Sequence, residues 1–421
     1  MKLFIVFTSI LLFLTIKRIT AGWMSPARIS SLVWTIQIVG YTLLSTEIKY
    51  ELGVLYLLLC SLIFAMGEVA SNRITFIIGK RTAKAGYYIG DFAWLFLIVF
   101  IALGVLKNAI TISRYGYSIS NFTSIASFLD MNTTMAYQRY FGNNSTSLVE
   151  SILSTFIYLA AIYAGYIFLS ADNKKKKALC VLSVVPAVIT VLSQNTKLVP
   201  LDSVFLFFVG YSISYLCNYS DNIKLNPKVL FRVSIVGLLL FALFFVSMCA
   251  KIGGFDSRTI GIVRNKILVY AFGSIEAFSA WFSIPRSISN ITFGISTFMA
   301  PFDLLNIVER SQGVYESIPG IASNIFTGYR ALIQDFSSIG AIVVVFLTGA
   351  ISGIVYRKVK HGESSYFSRT LYGCFLFTCL HYWLGSPWVY TSLWLTFIMF
   401  GLVICFSGMG LKRRKRKLVG E

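Results

Sequence analysis

Charge is scarce in this chain. Asp, Glu, Lys and Arg make up only 13% of its 421 residues, against 56% apolar residues and a mean hydropathy of +0.74. Soluble domains carry roughly a quarter charged residues, and no single core of this length hides so much apolar surface, so a soluble fold is excluded. Histidine is almost missing, with only His361 and His381, which leaves little room for a histidine-built site. No Walker loop, GxSxG, HExxH or Asp-x-Asp pair occurs, so the usual phosphate cradle, nucleophile elbow and carboxylate metal sites are unsupported. Cys60, Cys180, Cys217, Cys249, Cys374, Cys379 and Cys405 all fall in apolar segments without CxxC or zinc-knuckle spacing. Neither disulfides nor a structural metal is expected, and no cofactor is implied.

What the chain has in quantity is long apolar runs. A bilayer core of about 30 Å needs about 20 residues of helix, and eleven segments fit, near 3–16, 29–46, 52–67, 92–106, 149–170, 178–194, 201–218, 229–250, 337–356, 367–384 and 388–408. The first resembles a signal peptide, but Lys17-Arg18 follows it and only Lys2 precedes it, which reads better as an uncleaved anchor with its N-terminus outside. The fold class expected is an all-α polytopic membrane protein of about eleven spans, a single membrane domain over 1–421. Counting alternate connections puts 24 Lys and Arg on the side of the Lys412–Lys417 tail and 13 on the other, with the acids divided 6 and 11. The formal charge of +20 is therefore mostly a positive-inside bias. It makes the basic tail 409–421 cytoplasmic and requires no nucleic acid; the basic runs meet anionic membrane lipids.

Two outer connections are long, about 107–148 and 251–336. Long loops on a chain whose helices already suffice to span the membrane are where substrate chemistry is expected. Within the second, 259–285 and 291–308 are apolar, but Arg264, Lys266 and Glu276 argue against a crossing. Short helices lying at the interface, or re-entrant segments, are expected there. The outer face keeps few cations: Lys107, Arg114, Lys197, Arg258, Arg264, Arg286, Arg310 and Arg330 are among them. A single loop arginine is commonly a solvated or ion-paired group. Several together suit a lipid diphosphate, because planar guanidinium forks bind phosphate oxygens bidentately without a metal and stabilise a departing diphosphate. Lys197, in Ser193-Gln194-Asn195-Thr196-Lys197, is either part of a plain polar hairpin or a cation aimed into an outer cavity. His381 is either an interfacial polar residue or a general base.

Three segments of the second loop carry a resemblance. They are Tyr270-Ala271-Phe272-Gly273-Ser274 with Glu276 and Ala277; Gly320-Ile321-Ala322-Ser323-Asn324-Ile325-Phe326-Thr327-Gly328-Tyr329-Arg330; and Gln334-Asp335-Phe336-Ser337-Ser338-Ile339-Gly340. They resemble the Wzy-type O-antigen or oligosaccharide repeat-unit polymerases, in which Tyr-x-x-Gly-Ser and Asn-[Ile/Val]-[Tyr/Phe]-Thr precede an Asp-Phe-Gly-x-x-Gly start to a late span. The motifs cover about 70 residues. Ser337 stands where the family has glycine, and Lys197 where many members have the arginine of a Gly-Ser-Arg turn.

The resemblance implies a GT-C-like glycosyltransferase of the bacterial inner membrane, N-terminus periplasmic and C-terminus cytoplasmic. It would join oligosaccharide repeat units carried on undecaprenyl diphosphate without a metal, with a chain-length regulator as a candidate partner. Arg258, Arg264, Arg286, Arg330, Arg114 and Lys197 are then the candidate diphosphate or glycan contacts, joined by Asn324 and Tyr329. Asp335 or Glu276 is the candidate acceptor of the hydroxyl proton, although Asp335 equally suits a helix-start cap. Outer-loop rings such as Trp281, Tyr315, Phe326 and Tyr329 could stack on sugars or anchor the interface. The competing classes are an O-antigen ligase, which shares the donor, and a transporter or flippase of the lipid-linked sugar, which should carry charges inside its spans and mostly short loops.

Overall fold

The computed structural model describes residues 1–20, 22–45, 49–72, 92–141, 147–219, 221, 227–252, 254–284, 291–308, 318–362 and 365–418. Among these residues fifteen α-helices follow one another: α1 (Lys2–Ile19), α2 (Pro26–Leu44), α3 (Glu51–Ala70), α4 (Phe92–Arg114), α5 (Ile125–Phe141), α6 (Leu148–Ile167), α7 (Lys174–Leu182), α8 (Val185–Gln194), α9 (Leu198–Tyr219), α10 (Pro227–Ile252), α11 (Ser257–Phe282), α12 (Met299–Leu304), α13 (Gly328–Lys360), α14 (Tyr366–His381) and α15 (Thr391–Leu418). No strand occurs among the described residues.

All eleven apolar segments are helical. Among the described residues, seven stretches have the length and hydropathy to cross a membrane: Glu51–Ala70, Phe92–Arg114, Val149–Ser170, Lys174–Gln194, Leu198–Tyr219, Ser234–Ile252 and Gly328–Lys360, with Thr391–Ser407 a shorter apolar one. The other helices fall short for visible reasons. Three cations, Lys2, Lys17 and Arg18, lie within α1, and α14 has only 16 residues. The expected sixth span, 178–194, lies within the Lys174–Gln194 stretch that qualifies, although that stretch is interrupted between α7 and α8, where Pro186 in the first turn of α8 has no N–H to donate to a continuous helix. The expected short interfacial helices of the second loop are instead a single 26-residue α11, a turn at 292–298 and the short α12.

The chain forms two compact units. Unit 1 comprises Met1–Ala85, Leu216–Asn222 and Leu268–Trp394; unit 2 comprises Gly86–Tyr215, Ile223–Ile267 and Leu395–Glu421. In an apolar solvent helices gain little from burying apolar side chains, so close backbone approach matters more. Both units use it. In unit 1 a methyl group on Gly67 would strike the Phe346 carbonyl, and one on Gly349 the Phe64 carbonyl, so α3 and α13 clasp each other reciprocally. In unit 2, Gly165 faces the Phe207 carbonyl and Gly210 the Ile162 carbonyl, which clasps α6 to α9 in the same way. Gly104 of α4 lies against Pro186, with an ideal Cβ 3.0 Å from its Cβ.

One end of unit 1 is tied by charged side chains capping helix ends. Buried Glu68 accepts from Ser25 Oγ at 2.5 Å and from Ala27 N at 2.8 Å, satisfying the start of α2. Arg28 donates to the Lys17 and Thr20 carbonyls at 2.6 and 2.7 Å, closing the end of α1. Asp221 accepts from Met24 N at 3.0 Å and from the Tyr356 hydroxyl, and Arg357 reaches Ser71 Oγ at 2.7 Å. The charge count expects these ends on a single side of the membrane.

Candidate functional site

The three motif segments meet in unit 1. Gly273 of the first lies against Ser323 of the second, close enough that a Cβ at 273 would stand 2.9 Å from the Ser323 Cβ. Further along the second segment, Gly328 donates its N–H to the Tyr382 carbonyl at 2.7 Å, and a side chain at 328 would collide with the Tyr382 ring. Glycine at both positions is thus required by close approach. Ser323 Oγ accepts from Ile325 N at 3.2 Å, which shapes the turn leading to Phe326.

Arg330, in the first turns of α13, lays its guanidinium over the Phe326 ring, 4.0 Å from the centroid, with the Trp281 ring at 5.3 Å. One ring from its own motif segment, Phe326, and one from later in α11, Trp281, therefore flank one cation. Tyr329, next to it, is a core residue: its ring packs on Trp34 at 5.2 Å and edge-on to Tyr382 at 5.0 Å. The sequence offers two roles for Trp281, Phe326 and Tyr329, stacking on sugars or anchoring the interface. All three are buried, because they build the wall that positions Arg330 rather than a platform facing outward.

Asp335 has a definite structural task. Its carboxylate is fully buried and accepts from Thr292 Oγ1 at 2.5 Å, Ser296 N at 2.9 Å and Thr297 N at 2.8 Å. The main chain adds Thr292 N to the Gln334 carbonyl and Phe293 N to the Asp335 carbonyl, both at 3.1 Å. This carboxylate pins the 292–297 turn, whose Phe293 and Gly294 take positive φ of 47° and 99°, onto α13. Ser386 Oγ donates to the Thr297 carbonyl at 2.7 Å, joining the 386 turn to the same place. The cap expected of Asp335 is thus made, but for the backbone N–H groups of a distant turn and not for its own helix. Two residues later α13 breaks: Ser337 has φ 64° and ψ 172°, and its Oγ accepts from Gly340 N at 3.4 Å, restarting the helix. The break coincides with the expected start of the ninth span.

The remaining candidates are scattered. Glu276 is half-buried on the second half of α11, and Asn324 is exposed, both in unit 1. Arg258 and Arg264 belong to unit 2 and lie exposed on the first half of α11. That helix is started by Asp256, which accepts from Thr259 Oγ1 at 2.7 Å and Thr259 N at 3.0 Å; these bonds, the hydroxyl first, hold its carboxyl below the usual range. Arg114, also in unit 2, is paired with buried Glu150 at 2.6 Å. Lys197 binds Asn195 Oδ1 at 2.5 Å. Buried His381 has Nδ1 3.1 Å from the Gly385 carbonyl. Arg286, Arg310 and Tyr315 lie outside the described residues. Among the described residues no group of three or more His, Cys, Asp or Glu is arranged to hold a metal ion.

Sequence reasoning missed Thr292, Ser296 and Thr297, the partners of Asp335. Ser and Thr near a Gly mark a turn but carry no hint of a carboxylate 38 to 43 residues away. No protein family, no curated protein and no solved structure matches this chain. What stands without qualification is therefore its class: a nearly all-helical protein with several helices fit to cross a membrane.

Proposed function

We propose that the chain is an O-antigen-type polymerase of the bacterial inner membrane, joining undecaprenyl-diphosphate-linked oligosaccharide repeat units on the periplasmic face within a GT-C-like fold. The observation that supports this reading is that all three motif segments contribute to one apolar core of unit 1, through Phe272 and Ala277, Ile321 and Phe326, and Phe336, with the Arg330 guanidinium stacked on Phe326 beside it. Resemblance in scattered segments gains weight when those segments pack together, since a shared reaction needs them in one place.

The chemistry asks for little else. The bond between the anomeric carbon and the diphosphate oxygen of the donor breaks, a bond from an acceptor sugar hydroxyl forms, and the hydroxyl proton goes to a base. In unit 1, Arg330 is the candidate for the charge that develops on the leaving diphosphate and Asn324 offers an amide to sugar hydroxyls; Arg286 and, taken separately in unit 2, Arg258, Arg264, Arg114 and Lys197 remain candidate contacts to phosphate or glycan. Because Asp335 has both oxygens engaged, Glu276 is the carboxylate better suited to take the proton, and Asp335 acts as a positioning residue.

Arg330→Ala in the host is expected to collapse the surface polysaccharide ladder to single repeats while protein abundance stays normal. An unchanged ladder at normal abundance would overturn the reading. Loss of every glycan from lipid A would point to a ligase, and build-up of lipid-linked units on the cytoplasmic side to a flippase.

A further inference from the structure

The 291–308 segment of unit 1 turns large apolar side chains outward without the helix length to cross a membrane. Its one helix, α12, has six residues, yet Phe293 is 78% exposed, Leu305 is 69% exposed, and Leu304 and Ile307 are exposed as well. Asp303 is the only charged residue from 291 to 308. A single exposed apolar residue means little. Several large ones in a stretch with so little charge mark a surface that meets something other than water.

The backbone beneath these side chains is satisfied by the protein itself. Thr292 and Phe293 donate their N–H groups to the Gln334 and Asp335 carbonyls, and Ser296 and Thr297 donate theirs to the Asp335 carboxylate. Ile295 N donates to the Thr292 carbonyl at 3.2 Å and Phe298 N to the Gly294 carbonyl at 2.8 Å. After α12, the N–H groups of Leu305, Asn306 and Ile307 close onto the Pro301, Asp303 and Phe302 carbonyls at 3.1, 3.0 and 2.9 Å. A loop built for water can leave its N–H groups to solvent. One whose N–H groups are already paired loses little on leaving water, which is the condition for irregular backbone to enter the edge of a bilayer. Phe293 also holds a φ of 47°, which a bulky residue keeps only where its surroundings impose it.

Asp335 fixes where the segment lies. The helix that carries it, α13, qualifies as a span. Ile339, Val343, Leu347 and Ile351, spaced four apart on α13, are all exposed and form one apolar stripe. That stripe begins four residues after Asp335, whose carbonyl accepts from Phe293 N. The exposed phenyl group is therefore anchored near the start of the surface that α13 offers to lipid.

We propose that the 292–307 segment is a membrane wedge, in which Phe293, Leu304, Leu305 and Ile307 enter the boundary between headgroups and acyl chains of a phospholipid leaflet. Insertion of this kind reaches about 5–10 Å into the leaflet. Continuity with the stripe on α13 and the near absence of charge select a bilayer over an acidic or basic partner.

The test reads depth, whereas the ladder test reads turnover, so the failure of one leaves the other standing. Full-length Phe293→Cys and Leu305→Cys proteins are labelled with the environment-sensitive fluorophore NBD and placed in nanodiscs of zwitterionic phospholipid. Unsubstituted protein taken through the same labelling is the blank for the native cysteines. A nitroxide near the top of the acyl chain is expected to quench both labels, and aqueous iodide is expected to leave both bright. Quenching by iodide and not by the nitroxide would place the segment in water and overturn the wedge. Protection from both quenchers would mean that protein covers the surface. Relief of nitroxide quenching by added farnesyl diphosphate would mean that a prenyl chain occupies it. Either of these results would overturn the bilayer as the occupant.

Discussion

Asp335 and Arg330 stand five residues apart and do different work. Arg330 is a cation held by rings; Asp335 is an anion held by N–H groups. Removing the Asp335 carboxylate leaves the Ser296 and Thr297 amides and the Thr292 hydroxyl facing a buried gap, and each orphaned group costs about 1–3 kcal/mol. Asp335→Ala is therefore expected to destabilise the protein by about 3 kcal/mol or more and to shorten the glycan ladder as the 292–297 turn loosens. Asp335→Asn, which keeps one acceptor oxygen, should lie between it and the wild type in melting temperature. Thermal unfolding of the purified variants checks this. Wild-type melting in Asp335→Ala would sink the structural role, and a dead but fully stable Asp335→Asn would restore Asp335 as the proton acceptor.

At the scale of elements, two features decide how the helices lie. The first is the break in α13. Ser337, at φ 64° and ψ 172°, occupies a region that is comfortable essentially for glycine alone. Glycine is also the residue of the Asp-Phe-Gly pattern that the segment resembles. Ser337→Gly is expected to raise stability by up to about 1 kcal/mol, since relief of about 1–3 kcal/mol of strain outweighs the added freedom of the unfolded chain. Ser337→Val should lower it, and a melting series across the three residues reads the order. The second feature is the pair of glycine clasps. Gly349→Leu in unit 1 or Gly165→Leu in unit 2 would push a side chain into the Phe64 or Phe207 carbonyl. Because a carbonyl fixed within a helix cannot step aside, each change should destabilise by more than the roughly 1–3 kcal/mol of ordinary overpacking. Gly237, which has open space around it, is the control: Gly237→Leu should be tolerated.

For the whole molecule, the charge count predicts one orientation, with the basic tail in the cytoplasm. The native cysteines all lie in apolar segments, so single cysteines introduced into exposed turns can be read against a low background. Ser118→Cys and Asn324→Cys are expected to react with an impermeant maleimide in cells whose outer membrane has been opened. Ser365→Cys, between α13 and α14, should react only after lysis. The reverse pattern would invert the topology and remove Arg330 from the periplasmic face.

The apolar segments were legible in the sequence because lipid leaves a backbone no partner but itself, so any run apolar and long enough becomes helix. That physics is local, and it placed helix at the apolar segments, with the break of α13 at Ser337 falling where the ninth was expected to begin. It misjudged Lys107, whose charge reads as the end of a span at 106, whereas α4 runs on to Arg114 because Gln194 receives the ammonium. It also missed the break before α8, although Pro186 marks it. Polar pairing was not legible at all. Asp335 finds Thr292 across 43 residues, Lys107 finds Gln194 across 87, and the ring that holds Arg330 from below comes from another helix. Hydropathy and periodicity decided that this chain is helical and suited to a membrane. Which charges are buried, and what each one grips, was decided only by tertiary packing, because hydrogen bonds between distant segments leave no periodic trace in the order of residues.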